Sequence, residues 1–337
     1  MGRLPRRARG PGPRARLQQR LHRPALPCLA RVGGGRVSGP RLDERVDARP
    51  AAWATLLTQP SYLVGVRALH ASLRRSGSQH PLVVMVTEDV DDDARRALLE
   101  DGALVRELPR VGPDESLEAH YANARFAEVW TKLGAWGLVE FSRLVVLDAD
   151  MLVVQPMDEL FSAELPAGGI AACHACRCNP NRIASYPASW VPANCFYTHC
   201  RGASHVREPG VEEYFNGGFL VIEPDAAVHA EMLARLRGLE DLSAYQFAEQ
   251  DFLNEFFDGR WQPMAYVYNA LKTLPHQHPQ VWDAAEVKNI HFIIDKPWEK
   301  RPEPGEKYAE LHQLWWDLAD DTPGLLAEDP ASASTAA

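Results

Sequence analysis

Long apolar runs are missing from the sequence. A membrane span needs about 18 or more consecutive apolar residues. The most apolar runs here, such as Leu82–Val86 and residues 144–147, have only the length of buried strands. The apolar core of a secretory signal is missing as well. We therefore expect a protein without a membrane span in the cytoplasm, where thiols stay reduced and disulfides are rare.

Acidic residues and lysine are missing from residues 1–42, which contain eleven arginines. The whole chain has a formal charge of -9, so subtracting those eleven positive charges leaves -20 for the remaining residues. An acidic body argues against nucleic acid as the main partner, because binding to phosphates needs a basic surface.

Residues 1–50 also lack sustained apolar periodicity and are rich in Arg, Pro and Gly. This composition predicts a disordered extension that the folded domain does not need. A transit peptide would share the Arg-rich, acid-free character but would contain more serines than Ser38 alone. An arm that binds nucleic acid and an incorrectly assigned start codon are further alternatives. We also expect a disordered tail at 319–337, which leaves one folded domain at 51–318.

Five of the six cysteines crowd into a Pro-rich segment at about residues 167–209, here called the insertion. They form two clusters with short spacings of the kind that zinc sites use: Cys173, Cys176 and Cys178, then Cys195, His199 and Cys200. The third cysteine and the distance between the clusters fit no standard zinc pattern. The preferred interpretation is a thiol-rich loop at the rim of an active site, with bound zinc as the alternative.

Short apolar strands alternate with amphipathic helices, which is typical of an α/β fold with a mostly parallel sheet. The predicted strands are residues 53–57, 82–87, 103–107, 143–147, 217–222 and 250–257. The predicted helices are residues 62–74, 94–101, 125–141 and 227–237. The strand at 143–147 is apolar without alternation, so we place it at the buried centre of the sheet.

Asp148 and Asp150 directly follow that central strand. Ligands of open α/β sheets bind at the carboxyl ends of the strands, and carboxylate oxygens suit Mn²⁺ or Mg²⁺. Two acids flanking one residue often arise by chance. A buried strand that ends in two carboxylates and continues into the apolar residues 151–154 nevertheless indicates a binding site. A divalent metal at this position could hold a pyrophosphate and neutralise the charge that develops as it leaves.

The segment FSRLVVLDADMLVVQPMDELF at residues 141–161 resembles the Asp-x-Asp block of glycosyltransferase family 8, which includes glycogenin, bacterial galactosyltransferases and plant galactinol synthases. Further blocks follow the family's order: ATLLTQPSYLVGV from Ala54, TKLGAW from Thr131, YFNGGFLVIEP from Tyr214, AEQDFLNEFF from Ala248 and HFIIDKPW from His291. The resemblance covers roughly residues 53–298. It implies a GT-A fold, in which a Rossmann-like nucleotide-binding half with a mostly parallel central sheet is continuous with an acceptor-binding half.

Carried over by position, the family pattern implies a Mn²⁺ site, with Mg²⁺ as the alternative ion, and a UDP-sugar site. The metal ligands would be Asp148, Asp150 and His291. The UDP-sugar residues would be Leu56, Thr58, Gln59, Tyr62, Lys132, Ala149, Asn216, Gly217, Gln250 and Lys296, together with Arg125 if two residues are deleted here. A core aromatic is the alternative for Tyr62, and solvated helix charges are the alternative for Lys132 and Arg125.

Glu249, Gln250 and Asp251 are the predicted catalytic residues of a transfer that retains the anomeric configuration. A double displacement needs a carboxylate nucleophile. A front-face route needs only stabilisation of the oxocarbenium ion, with the leaving phosphate accepting the acceptor's proton. Glycogenin-like members have Asp-Gln at this position, whereas this chain has Glu-Gln, as galactinol synthases do.

The segments PLVVMVTEDV, AEQDFLN and YVYNALKTL are nearest to galactinol synthases, which transfer galactose from UDP-galactose to myo-inositol. Glycogenin-like self-glucosylation is disfavoured because no Tyr lies between Asn269 and Phe292. Transfer of galactose or glucose to another small polyol or sugar, a homodimeric assembly and an inactive UDP- and metal-binding scaffold remain as alternatives. A sugar nucleotidyltransferase would need a Gly-rich loop after the first strand, where ATLLTQPS has none.

Overall fold

The computed structural model describes residues 49–117, 121 and 124–326. Nearly all of the predicted N-terminal extension therefore lies outside the described residues, as does the end of the predicted tail. The first strand begins at Ala51, where the folded domain was predicted to start. The predicted end at residue 318 is too early, because the last helix continues to Asp320 and Leu325 beyond it is buried in the core.

Within the described residues, ten strands form two sheets. In chain order they are β1 Ala51–Leu57, β2 Leu82–Val86, β3 Leu104–Glu107, β4 Arg143–Leu147, β5 Met151–Val153, β6 Ile170–His174, β7 Phe215–Ile222, β8 Trp261–Met264, β9 Ala270–Leu271 and β10 Asn289–His291. The large sheet has the order β3-β2-β1-β4-β7-β6-β8. Its strand pairs are parallel except for the two made by β7, which runs antiparallel to β4 and β6. The prediction of a mostly parallel central sheet is confirmed.

The α-helices are α1 Leu63–Arg75, α2 Asp92–Glu100, α3 Phe196–His199, α4 Ala226–Arg237, α5 Glu249–Phe256, α6 Leu274–Gln277 and α7 Ala309–Asp320. Short 3-10 helices lie at Pro60–Tyr62, Ala124–Ala127, Val129–Gly137, Asp158–Ser162, Pro192–Asn194, Tyr266–Tyr268 and Pro297–Glu299. In the part of the chain that the structure describes, no helix is long and apolar enough to cross a membrane.

Two predicted elements were wrong. Residues 250–257 were predicted to be a strand, but residues 250–256 belong to helix α5, whose buried Phe252, Leu253 and Phe256 have helical spacing. The predicted long helix at 125–141 is replaced by two 3-10 helices that end at Gly137, and its apolar residues from Trp130 to Trp136 are buried. Periodicity could not distinguish such a buried segment from a regular helix.

The central strand β4 is buried on both faces, as its sequence predicts. Leu144 and Val146 belong to one apolar cluster, whereas Val145 and Leu147 belong to another on the opposite face. Successive side chains of a strand point to opposite faces, so this division follows from the pleat. The strand therefore holds the residues that follow it at a fixed position at the edge of the sheet.

The small sheet has the order β5-β10-β9 and joins the two halves of the chain. Strand β10 pairs antiparallel with β5, so that His291 lies opposite Met151. It pairs parallel with β9, so that His291 lies opposite Leu271. This register brings a histidine from the end of the domain next to the acids that follow β4.

Candidate active site

Asp148, Asp150 and His291 converge at the carboxyl end of β4, and their ligand atoms all lie within 4.8 Å of one another. The Nε2 atom of His291 is 3.3 Å from Asp150 Oδ1 and 3.9 Å from Asp148 Oδ2. The structure thus brings together the three residues predicted to bind a metal. Two carboxylates and one imidazole suit Mn²⁺, since this ion accepts both oxygen and nitrogen ligands.

A buried amide orients the imidazole of His291. Its Nδ1 atom lies 2.8 Å from Asn269 Oδ1, which can only accept a hydrogen bond. Nδ1 therefore donates to this oxygen, and Nε2 is the ring nitrogen that faces the two carboxylates. Hydrogen bonds of this kind fix the tautomer of metal-binding histidines. Asn269 was not predicted as a site residue, although it lies in the quoted segment YVYNALKTL.

Two buried lysines pair with the acids of the cleft. Lys132 Nζ lies 2.7 Å from Asp148 Oδ1 and 2.8 Å from Glu249 Oε1. Lys296 forms an ion pair with Asp150 and donates to the carbonyl of Phe292 at 3.1 Å. Three carboxylates against two ammonium groups leave one net negative charge. A divalent cation would turn this charge positive, which would favour binding of a diphosphate.

The charges shift the pKa values of these buried groups. Burial alone would lower the pKa of Lys132, but Asp148 and Glu249 outweigh it and raise that pKa above its ordinary value. Burial raises the pKa of Glu249, and the Lys132 ammonium only partly opposes this effect. Burial would also raise the pKa of Asp150, but Lys296 and His291 outweigh it and lower that pKa. Lys132 and Asp150 are therefore charged at neutral pH.

One deep cleft lies above these residues, and most of the predicted site residues line it. They are Leu56, Thr58, Gln59, Tyr62, Lys132, Asp148, Ala149, Asp150, Asn216, Gly217, Glu249, Gln250, His291 and Lys296. The backbone of Arg125 lies in a 3-10 helix, and its side chain is outside the described part of the structure. Asp251 does not line the cleft but lies behind it, where it accepts hydrogen bonds from Tyr214 Oη and from the Phe247 amide.

A chain of hydrogen bonds connects the predicted metal ligand His291 with Asp251. Asn269 donates from Nδ2 to Asn216 Oδ1 at 2.8 Å, and Asn216 donates from Nδ2 to Gln250 Oε1 at 3.0 Å. Gln250 then donates from Nε2 to Tyr214 Oη at 2.9 Å, and this hydroxyl donates to Asp251 Oδ1 at 2.5 Å. The network holds the Gln250 amide at the cleft wall. Asp251 contributes by positioning the Tyr214 hydroxyl that accepts from this amide.

Gly218 approaches the predicted metal ligands more closely than Gly217, which was predicted to lie near the donor sugar. A Cβ atom at Gly218 would lie 2.6 Å from His291 Cε1 and 2.8 Å from Asp148 Oδ2. At Gly217 the nearest atom would be Gln250 Cβ at 3.2 Å. Contacts below 3 Å are repulsive, so β7 passes beneath the ligands only because residue 218 has no side chain.

The insertion supplies an aromatic wall of the cleft, which was not predicted from the sequence. Trp190 stacks on Phe247 with ring centroids 4.4 Å apart, and Tyr186 meets Phe247 edge to face at 4.9 Å. The guanidinium of Arg177 lies over the ring of Tyr214 at 5.7 Å. Aromatic faces bind the apolar faces of sugar rings and small polyols in the same way that they pack on one another.

Comparison of the chain with known proteins shows the family to which it belongs. Residues 55–301 match the model of glycosyl transferase family 8. The chain belongs to this family. The predicted family and the prediction of a glycosyltransferase enzyme are therefore confirmed, and the protein transfers a glycosyl group from a nucleotide sugar.

The curated relatives that match over most of their length include several galactinol synthases. Galactinol synthase 3 of Arabidopsis thaliana is 32% identical over 268 residues, which cover 77% of this chain and 78% of the relative. Galactinol synthase 1 of Solanum lycopersicum is 30% identical over 297 residues, which cover 85% and 86%.

The solved structures that resemble this family 8 chain share its fold. The galactosyltransferase LgtC, solved with donor and acceptor sugar analogues, superposes with a TM-score of 0.53 at 17% identity and covers 83% of this chain and 99% of its own. The bifunctional glycosyltransferase WbbM superposes with a TM-score of 0.55 at 17% identity, covering 82% of this chain and 51% of its own. The chain thus spans about half of that bifunctional protein. The predicted GT-A fold is confirmed.

Proposed function

We propose that this family 8 enzyme transfers a hexose from UDP-galactose or UDP-glucose to a hydroxyl group of a small polyol, in a Mn²⁺-dependent reaction that retains the anomeric configuration. The observation that carries this proposal is the cluster of Asp148, Asp150 and His291 with Lys132 and Lys296 at the floor of the cleft. The preferred acceptor is myo-inositol, because relatives at about 30% identity are named galactinol synthases.

The residues around the cluster divide into two groups. Leu56, Thr58 and Tyr62 follow the end of β1 and would bind the uridine, as expected for the first strand of a nucleotide-binding half. Lys296 Nζ lies beside Asp150 and 5.9 Å from the centre of the Tyr62 ring, so it would contact the diphosphate. A bound Mn²⁺ ion would supply Lewis-acid stabilisation of the negative charge on the departing diphosphate.

The contacts of the predicted catalytic acids favour the front-face route. Glu249 is paired with Lys132, and Asp251 lies behind the wall of the cleft. Neither carboxylate of this segment is therefore presented as a free nucleophile. We propose that Glu249 orients Lys132, that the Gln250 amide stabilises the oxocarbenium ion, and that the leaving phosphate accepts the proton of the acceptor hydroxyl.

The deciding experiment measures UDP release with Mn²⁺ from UDP-galactose and UDP-glucose, with and without myo-inositol. We expect release from one donor to rise strongly when myo-inositol is added, and NMR of the product to show the anomeric configuration of the donor. The Asp150→Asn variant, which loses a metal ligand, should turn over about a hundredfold or more slowly. UDP binding without turnover of either donor, over a panel of polyols and sugars, would contradict the proposal and identify a scaffold.

A further inference from the structure

A second cluster of metal-binding side chains lies outside the proposed catalytic residues. Cys176, Cys178 and Cys195 of the insertion meet His278, which directly follows α6, and their ligand atoms all lie within 4.8 Å of one another. We propose that these four residues bind a structural Zn²⁺ ion that fastens the insertion to the acceptor-binding half of the domain.

The distances match a tetrahedral zinc site. His278 Nε2 lies 3.5 Å from Cys176 Sγ, 3.2 Å from Cys178 Sγ and 3.5 Å from Cys195 Sγ, and the sulfur atoms of Cys176 and Cys195 are 3.9 Å apart. Ideal tetrahedral zinc, with bonds of about 2.3 Å to sulfur and about 2.0–2.1 Å to nitrogen, places sulfur and nitrogen about 3.6 Å apart and two sulfurs about 3.8 Å apart. The ion therefore fits with only small movements of the side chains.

The ligand set specifies both the metal and its role. Three thiolates and one imidazole form a soft site that selects Zn²⁺ over Mn²⁺, whereas the oxygen-rich site at Asp148 and Asp150 also suits Mn²⁺. Four protein ligands leave no open position for water or substrate, which is typical of structural zinc. Cys178, Cys195 and His278 are buried, so solvent has little access to the ion.

The remaining thiols and His199 of the insertion have other contacts. Cys173 Sγ donates to the carbonyl of Ala265 at 3.2 Å, and Cys200 Sγ lies 3.9 Å from the carbonyl of Tyr197. The His199 ring binds the carbonyl of Ala193. Residues 173, 199 and 200 were also considered as ligands from the sequence spacing. The fourth ligand is instead His278, more than 80 residues after Cys195, and this distance explains why the sequence matched no standard zinc pattern.

The proposed ion would stabilise one wall of the cleft. The 16 residues between Cys178 and Cys195 include Tyr186 and Trp190, which line the cleft beside Phe247. A zinc ion that binds the residues at both ends of this segment would fix the positions of those rings, although the segment has little regular secondary structure. An effect on acceptor binding rests on the proposed function, whereas the presence of the ion does not.

The test measures the metal content of tag-free protein purified in the presence of a thiol reductant and dialysed against excess Mn²⁺, which occupies the carboxylate site. We expect close to one zinc per chain. Cys195→Ser should reduce zinc to background and make the insertion sensitive to limited proteolysis. The matched control Cys200→Ser alters a buried thiol of the same segment that lies outside the cluster, and it should keep the zinc.

Cobalt substitution keeps the proposal testable where Cys195→Ser fails to fold. Wild-type protein grown with Co²⁺ should show intense near-ultraviolet absorption from thiolate-to-cobalt charge transfer, which a carboxylate and imidazole site cannot give. Wild-type protein with neither zinc nor this absorption would overturn the proposal. A disulfide between Cys176 and Cys195 that persists in the presence of the thiol reductant would also overturn it. Loss of zinc in Cys200→Ser equal to that in Cys195→Ser would also overturn it.

The activity assay distinguishes this proposal from the proposed function. If both hold, Cys195→Ser should raise the KM for the acceptor more than the Kd for UDP, because the residues proposed to bind the uridine follow β1 and do not belong to the insertion. Bound zinc without turnover of any UDP-sugar would support the zinc site and contradict the function. Turnover of a UDP-sugar by protein without zinc would support the function and contradict the zinc site.

Discussion

At the scale of single residues, the metal site depends on side chains that would not touch the metal. Asn269 is buried and donates and accepts within the network that joins His291 to Asn216. Without the carbonyl oxygen of Asn269, the imidazole of His291 could rotate, and Nε2 would no longer be held toward the two carboxylates. Partners of this type typically contribute 10-fold to 100-fold to metal affinity.

We therefore expect Asn269→Ala to weaken Mn²⁺ binding by about 10-fold to 100-fold, with much of the turnover restored at saturating Mn²⁺. The measurement is the Mn²⁺ concentration that gives half-maximal UDP release. Asn289→Ala is the control, because this neighbouring buried amide contacts Met151 and the Tyr268 carbonyl but not the His291 ring. Unchanged Mn²⁺ dependence in Asn269→Ala would show that the tautomer is fixed in another way.

The role of Glu249 gives a second prediction at this scale. If Glu249 only orients Lys132, Glu249→Ala should slow turnover about a hundredfold through misplacement of that lysine. Glu249→Gln can still accept from Lys132 and should be less impaired. A nucleophile would behave differently: Gln and Ala variants would be equally inactive, and added azide would give a glycosyl azide of inverted configuration with the Ala variant. Detection of that product by NMR would establish a double displacement.

At the scale of secondary structure, β7 links the sheet to the metal ligands. Its residues Phe215–Ile222 pair antiparallel with β4 and β6, so the strand cannot move away from the carboxyl end of β4. Gly218 lies in this fixed strand beneath His291 and Asp148, where the amide of residue 148 also donates to the Gly218 carbonyl. A side chain at this position could be accommodated only by displacing the ligands.

Gly218→Ala should accordingly reduce Mn²⁺ affinity more than tenfold while leaving the fold intact. Gly217→Ala is the matched control on the adjacent residue, where the added methyl group would meet only Gln250 at 3.2 Å. Titration with Mn²⁺ monitored by electron paramagnetic resonance gives the affinity, and circular dichroism checks the fold. Equal Mn²⁺ affinities of the two variants would contradict the close contact at residue 218.

The sequence predicted correctly an element that is buried in the same way on both of its faces. Strand β4 was predicted with its observed bounds because it is apolar and buried on both faces, and Asp148 and Asp150 follow it directly. Helix α5 was mistaken for a strand because a short apolar run fits both periods. Asn269 and His278 could not be predicted as parts of their sites. They reach their partners through the pairing of β9 with β10 and the packing of α6 against the insertion, and these long-range contacts leave no local pattern.

At the scale of the whole molecule, the described part of the chain contains a complete sheet with a core on both faces. The first described residues are held to the domain by hydrogen bonds. The carbonyl of Pro50 accepts from the Ser142 amide at 2.9 Å, and Arg49 donates to the Val139 carbonyl at 2.9 Å. Ala51 then begins the pairing of β1 with β4, opposite Arg143. Among the described residues, contacts with the domain therefore begin at residue 49, two residues before the predicted boundary.

A protein that begins at Arg49 should keep the Tm and the UDP-sugar turnover of the full chain, since residues 1–48 have no apolar periodicity that could pack on the core. A protein that begins at Ala54 should be much less stable. It lacks Trp53, which is buried at the centre of the large sheet and whose indole donates to Ser78, and loss of such a side chain costs about 3–5 kcal/mol. Thermal unfolding of the three proteins measures both effects. A lower Tm for the protein that begins at Arg49 would show that the Arg-rich segment stabilises the domain, whereas equal Tm values for all three would mean that the start of β1 contributes nothing to the sheet.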